Sequence, residues 1–239
     1  MKSALRLFLV CALTFLLFQE NYSLAQQPAG SIFKVVKTPN ENFNNDLQAA
    51  SASSPSDIWA VGQSTIHYNG QKWIAFPAPM IEGDNTSFLG GVVDISPDLA
   101  WAAGTVNIGE GNLNQVIEQW NGSQWNVVQG PTFGAGDQPS LFGMAGVASN
   151  DIWAVGDLLA DDGNAIFALF EHWDGTQWSA TTVADGVPFL MSASADATND
   201  VWAVGYNAAI IDENATLAMQ WNGSTWQTIS TPNVGEGNN

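Results

Sequence analysis

The residues best able to bind or catalyse are carboxylates that fall in stretches of variable sequence. These are Glu82 and Asp84, Glu110, Asp137, Asp157 with Asp161 and Asp162, Asp185, and Asp212 with Glu213. Asp157, Asp161 and Asp162, followed by Gly163-Asn164, are oxygen ligands of the kind Ca²⁺ prefers. Their spacing matches no EF-hand, so calcium stays an open expectation and no cofactor is required. Two carboxyls roughly 5–10 Å apart across a pocket would instead suit glycoside hydrolysis. His67 and His172 each precede the aromatic residue of a repeated motif, where Gln119 and Gln220 stand in the other copies. Exchange with Gln predicts an exposed polar strand position, and no Ser-His-Asp arrangement is expected.

The residues that are missing narrow the chemistry further. Lys2 and Arg6 precede an apolar run at 7–18, and Ser23-Leu24-Ala25 sets small residues where a signal peptidase reads. Residues 1–25 therefore read as a signal peptide, with a secreted or periplasmic chain starting at Gln26. The run is too short to span a bilayer, so no membrane span is expected after cleavage. Cys11, the one cysteine, lies inside it, so export brings no disulfide. Five Lys and Arg stand against 23 Asp and Glu, a net charge of −18, and no Lys or Arg follows Lys72. Such a surface repels phosphate backbones and anionic headgroups, which excludes nucleic acid as a partner. An arginine clamp for a substrate carboxylate, a cysteine-crosslinked copper site and a basic quinone pocket all lack their residues after the signal.

The loops that hold these carboxylates lie between repeats. Asp57-Ile58-Trp59-Ala60-Val61-Gly62 returns at Leu99–Gly104, Asp151–Gly156 and Asp200–Gly205, with the tryptophans 42, 52 and 49 residues apart. Each copy is followed by a second block: Tyr68-Asn69-Gly70-Gln71-Lys72-Trp73, then 120–125, 173–178 and 221–226. All eleven tryptophans fall in these two blocks, and Trp59, Trp73, Trp101, Trp125, Trp153, Trp178, Trp202 and Trp226 are expected to be structural. Each repeat reads as four short strands: a small-residue strand, the Trp-Ala-Val-Gly strand, one ending at the aromatic, and one starting at the second tryptophan. Asn-Gly or Asp-Gly predicts a tight hairpin with positive φ at both central residues. Four antiparallel strands recurring every 42 to 53 residues are the pattern of a propeller blade, with small side chains on the innermost strand.

With these blocks the chain resembles the kelch or galactose-oxidase type of propeller found in secreted bacterial proteins. The resemblance spans 31–239. It departs in having one glycine after the second strand, Trp for the usual Tyr, and a shorter third hairpin. It implies an all-β fold and leaves function open.

The expected organisation is a signal peptide at 1–25, an N-terminal segment at 26–45, and a four-repeat domain at 46–239. Its blades run about 46–80, 88–132, 141–188 and 189–233. Residues 31–40 repeat the character of the fourth strand at 226–233, so the chain holds four blades and one orphan outer strand. A closed four-bladed ring has no slot for that strand. An open arc is expected, part of a larger propeller or self-associating through uncovered edges. Loops joining strands two to three, and blade to blade, share one side and would gather the acidic residues into one face. The function expected is a non-catalytic extracellular binding module for a glycan, a surface polymer or a basic protein. The alternative is a carbohydrate-active enzyme with paired carboxylates on that face.

Overall fold

The computed structural model describes residues 36–39, 46–77, 87–161, 163, 165–210 and 213–232. The expected signal peptide, most of the orphan strand, Glu82, Asp84, Asp162 and Asp212 lie outside them, as does the side chain of Glu213. Val36 and Lys37, from the end of the expected orphan strand, are not in a strand.

Each repeat folds as a four-stranded antiparallel meander. The first sheet contains β1 (Leu47–Ser54), β2 (Asp57–Gly62), β3 (Thr65–Tyr68) and β4 (Trp73–Phe76). The second holds β5 (Ser87–Ser96), β6 (Leu99–Asn107), β7 (Leu113–Trp120) and β8 (Trp125–Val127). The third holds β9 (Gln138–Ala148), β10 (Asp151–Leu159), β11 (Ile166–Trp173) and β12 (Trp178–Val183). The fourth holds β13 (Pro188–Ala197), β14 (Asp200–Ile210), β15 (Glu213–Trp221) and β16 (Trp226–Ile229). Strand order follows chain order in all four, and no helix occurs among the described residues. The fold is all-β, with β-propeller blades as its units.

The small-residue strands lie innermost. β1 packs on β5, β5 on β9 and β9 on β13, and together they line a space of about 330 Å³. Side chains as small as those of Ala49, Gly91, Gly143 and Ser192 allow that approach. β13 makes no comparable contact with β1. The arc is open.

The tryptophan of each second strand joins one sheet to the next. Trp59 packs 4.8 Å from Trp120 and 4.9 Å from Trp125. Trp101 packs 5.0 Å from Trp173 and 5.3 Å from Trp178. Trp153 packs 5.2 Å from Trp221 and 5.4 Å from Trp226. Trp59, Trp101 and Trp153 are buried as expected. Trp202 departs from that expectation: it is 36% exposed, since among the described residues no further sheet packs on it.

The glycine that closes each Trp-Ala-Val-Gly block has a steric reason. A Cβ there would lie 2.0 Å from the Asp46 carbonyl oxygen at Gly62, and 1.9 Å from the facing carbonyl at Gly104, Gly156 and Gly205. The hairpins differ from the expected form. Gly70, Gly122, Gly175 and Gly223 have positive φ, but the Asn or Asp before each does not. That side chain instead accepts hydrogen bonds from the turn: Asn121 Oδ1 takes the N–H groups of Ser123 and Gln124, each at 3.0 Å. The residue serves as a side-chain cap of the turn, which removes the need for a left-handed backbone.

Candidate ligand-binding site

Two kinds of turn sort the carboxylates. The β1–β2 turn and the β3–β4 hairpin of each sheet share one end, where Gly70 lies against Ser56 and Gly122 against Asp98. The loops between second and third strands, and the joins between sheets, occupy the other end. Asp137, Asp161, Asp185 and Glu110 are there. Yet Asp57, Asp98, Asp151, Asp174, Asp196 and Asp200 stand at or beside the hairpin end. Among the described residues acidic side chains therefore stand at both ends. The repeat itself requires this, since Asp57, Asp151 and Asp200 each open a second strand.

The loop end does assemble one pair of the expected residues. Asp137 Oδ1 accepts the Asp161 N–H at 3.0 Å, and its Oδ2 accepts the Gly134 N–H at 3.0 Å. Asp185 caps the fourth sheet, taking the Thr228 hydroxyl at 2.6 Å. Glu110 sits in a turn with φ of 54°. Asp157 does not stand in a loop. It lies buried within β10, on the strand face shared with Trp153 and Val155, and burial pushes its carboxyl up to about 6. No cluster of three or more His, Cys, Asp or Glu suited to a metal ion occurs among the described residues.

Beside Asp137 opens a cavity of about 650 Å³. Its walls are Asn114 to Ile117 of β7, Val127 of β8, and the join to the third sheet from Val128 to Gly134, with Asp137 and Pro139. Gln115 holds that join in place, its Nε2 donating to the Pro131 carbonyl at 2.9 Å. The lining offers amides from Asn114 and Gln129, a hydroxyl from Thr132, one aromatic ring from Phe133 and one carboxylate. Asp137 is the only expected site residue in it. Among the described lining residues there is no second carboxyl of the kind glycoside hydrolysis needs.

The histidines are not simply exposed strand residues. His67 stacks on Trp59 with centroids 4.4 Å apart, and its Nε2 donates to Asp57 Oδ1 at 2.5 Å. His172 stacks on Trp153 at 4.2 Å and donates to Asp151 Oδ1 at 2.8 Å. Gln220 does the same for Asp200, at 2.8 Å. The cause is register: the third-strand residue lies directly opposite the tryptophan, and the Asp two residues earlier shares that face. The signal was present in the sequence. The repeat with Leu99 in place of Asp carries Gln119, while the three with Asp carry His, His and Gln. Ser53 Oγ donates to the other oxygen of Asp57, at 2.5 Å. The carboxylate stands between hydroxyl and imidazole, so the order of a Ser-His-Asp triad, with the imidazole in the middle, is not formed here.

Sequence reasoning also missed Glu118 and Glu171, which are buried in the interfaces between sheets. Burial holds their carboxyls up at about 7 and about 8. Ile66 and Met219 fill the same position in the other repeats, which marks it as interior.

Comparison with family models and with curated proteins returned no match. Among solved structures, the chain is similar to a fucose lectin from Kordia zhangzhouensis in complex with methyl-fucoside. Identity is 16%, TM-score 0.37, and coverage 56% of this chain and 93% of that one. It is also similar to YCF48 bound to D1 peptide, at 12% identity and TM-score 0.30, covering 76% and 80% of the two chains. YCF48 from Cyanidioschyzon merolae matches at 12% and 0.31, covering 75% and 70%.

Proposed function

We propose that this chain is a non-catalytic binding module of the cell exterior, which takes a glycan or another polyhydroxylated polymer at the cavity between β7, β8 and the 128–139 join. The cavity carries the reading. Its volume falls within the range of ligand sites, and its lining combines neutral hydrogen-bonding groups with one ring. A neutral, hydroxyl-rich ligand suits amides, a carboxylate acceptor and an aromatic surface, whereas an anionic one would meet Asp137 and the overall charge of −18. The exterior location rests on the leader-like residues 1–25. Kinship with secreted kelch-like propellers is part of the same reading, supported by the Trp-Ala-Val-Gly and Asn-Gly blocks. A basic protein partner would bind through Asp137, Asp161 and their neighbours instead.

A glycan array probed with the secreted chain, with and without calcium, tests this. The expected result is binding to a defined set of neutral glycans that the double variant Asn114→Ala, Gln129→Ala loses. Binding unchanged in that variant would remove the cavity from the reading. Binding only with calcium would shift the site to the acidic loops.

A further inference from the structure

The interfaces between sheets repeat one device. In each, the second-strand indole of one sheet meets the aromatic residues that end the third strand and open the fourth strand of the next. Trp59, Trp101 and Trp153 fill three such sites. The chain has four copies of both halves, so one of each is left over.

Trp202 is an indole without a site. It is 36% exposed and Val204, on the same strand face, is 46% exposed, where their counterparts Trp153 and Val155 are buried at 4% and 0%. Tyr68 and Trp73 are a site without an indole. Their rings lie 5.5 Å apart and contact no third described ring. Trp73 is half-buried, whereas Trp125, Trp178 and Trp226 are buried. On that face Ile66 is itself buried, Ile58 and Ala75 are half-buried, and Ala50 and Ala52 of β1 are exposed.

We propose that the Trp202 face of the fourth sheet docks on the Tyr68–Trp73 pair of a second copy of this chain, head to tail. Continuity with the three internal interfaces identifies the occupant. Charge agrees with it: Lys72, where the other repeats have Gln124, Gln177 and Thr225, stands in the hairpin beside Trp73. The hairpin end of the fourth sheet carries Asp196 and Asp200, and Asp200 holds the Trp202 indole N–H at 2.9 Å. The two surfaces differ, so the contact is heterologous. Two copies that close on each other twice form a ring of eight sheets, within the range for this architecture. The inference does not depend on the glycan reading.

Light scattering on the secreted chain reads the mass directly, and twice the monomer mass is expected at micromolar concentration. Trp202→Arg and Trp73→Arg should each give the monomer mass with unchanged circular dichroism. Mixing the two variants should restore a mass of two, since each supplies the half the other lacks. If Trp73→Arg fails to fold, Tyr68→Arg takes its place in the mixture. A monomeric unsubstituted chain overturns the proposal. So does an assembly that survives Trp202→Arg, or a pair of folded variants that stay monomeric when mixed.

Discussion

Trp153 and Trp202 hold the same place in their sheets, and each donates its indole N–H to the Asp two residues earlier. They differ in what lies opposite. Trp153→Ala should cost about 3–5 kcal/mol by opening a cavity in the core between the third and fourth sheets. Trp202→Ala should cost about 1 kcal/mol or less, since its indole is not enclosed. Urea midpoints of the two variants check this, and equal losses would mean that the Trp202 face is covered. Glu171 poses a different problem. Its two oxygens are buried without partners, in the same interface as the unpartnered indole N–H of Trp101. Burial holds the carboxyl at about 8, above its usual value of 4.5, so the folded chain keeps a proton that the unfolded chain releases. Stability must then fall as pH rises from about 4.5 to about 8. Glu118, at about 7, adds to the same slope, and Asp94 and Asp157, both at about 6, add to its lower part. Glu171→Gln keeps the shape without the titration. It should match the parent near pH 5 and exceed it at pH 8 in urea unfolding.

At the scale of the strand, the closing glycine of the tryptophan block is fixed by backbone, not by conformation. In β10 the carbonyl oxygen of Ser140 occupies the place of a Cβ on Gly156, and β9 carries an irregularity in register at this point. Gly156→Ala must therefore push β9 away from β10, at about 1–3 kcal/mol or more. The loss should appear in chemical denaturation, and a neutral variant would show that the strands can separate freely there. The same glycine made the fold legible: tryptophan, glycine and Asn-Gly recurring at blade spacing predict strand order, inner strand and hairpin positions. The site was less legible, because a loop residue and a strand residue look alike in a short acidic run. Asp157 reads as part of the loop at 157–168, yet β10 extends to Leu159 and takes it inside. The cavity depends on how the 128–137 join folds back over β7, and no spacing in the sequence encodes that. The Asp–His pairs were encoded, but in the exchange between repeats and not within any one of them.

For the molecule as a whole, charge and shape pull in opposite directions. A net charge of −18 opposes any contact between two copies, while the open ends of the arc expose Trp202 and Val204 to water. Ion pairs cannot supply much of the attraction, since no Lys or Arg follows Lys72 and the second, third and fourth sheets have none to offer. Apolar burial must drive association, and screening removes its main opponent. At 0.15 M salt the screening length is about 8 Å, and at 1 M about 3 Å. The fraction of chains paired should therefore rise as sodium chloride is raised from tens of millimolar toward molar. A contact held mainly by Lys72 against Asp200 would weaken instead. Sedimentation velocity across that salt series separates the two, and the Lys72→Gln variant sharpens it. If apolar burial dominates, the variant pairs at high salt as fully as the parent; a loss of pairing at every salt concentration would assign the contact to the single cation.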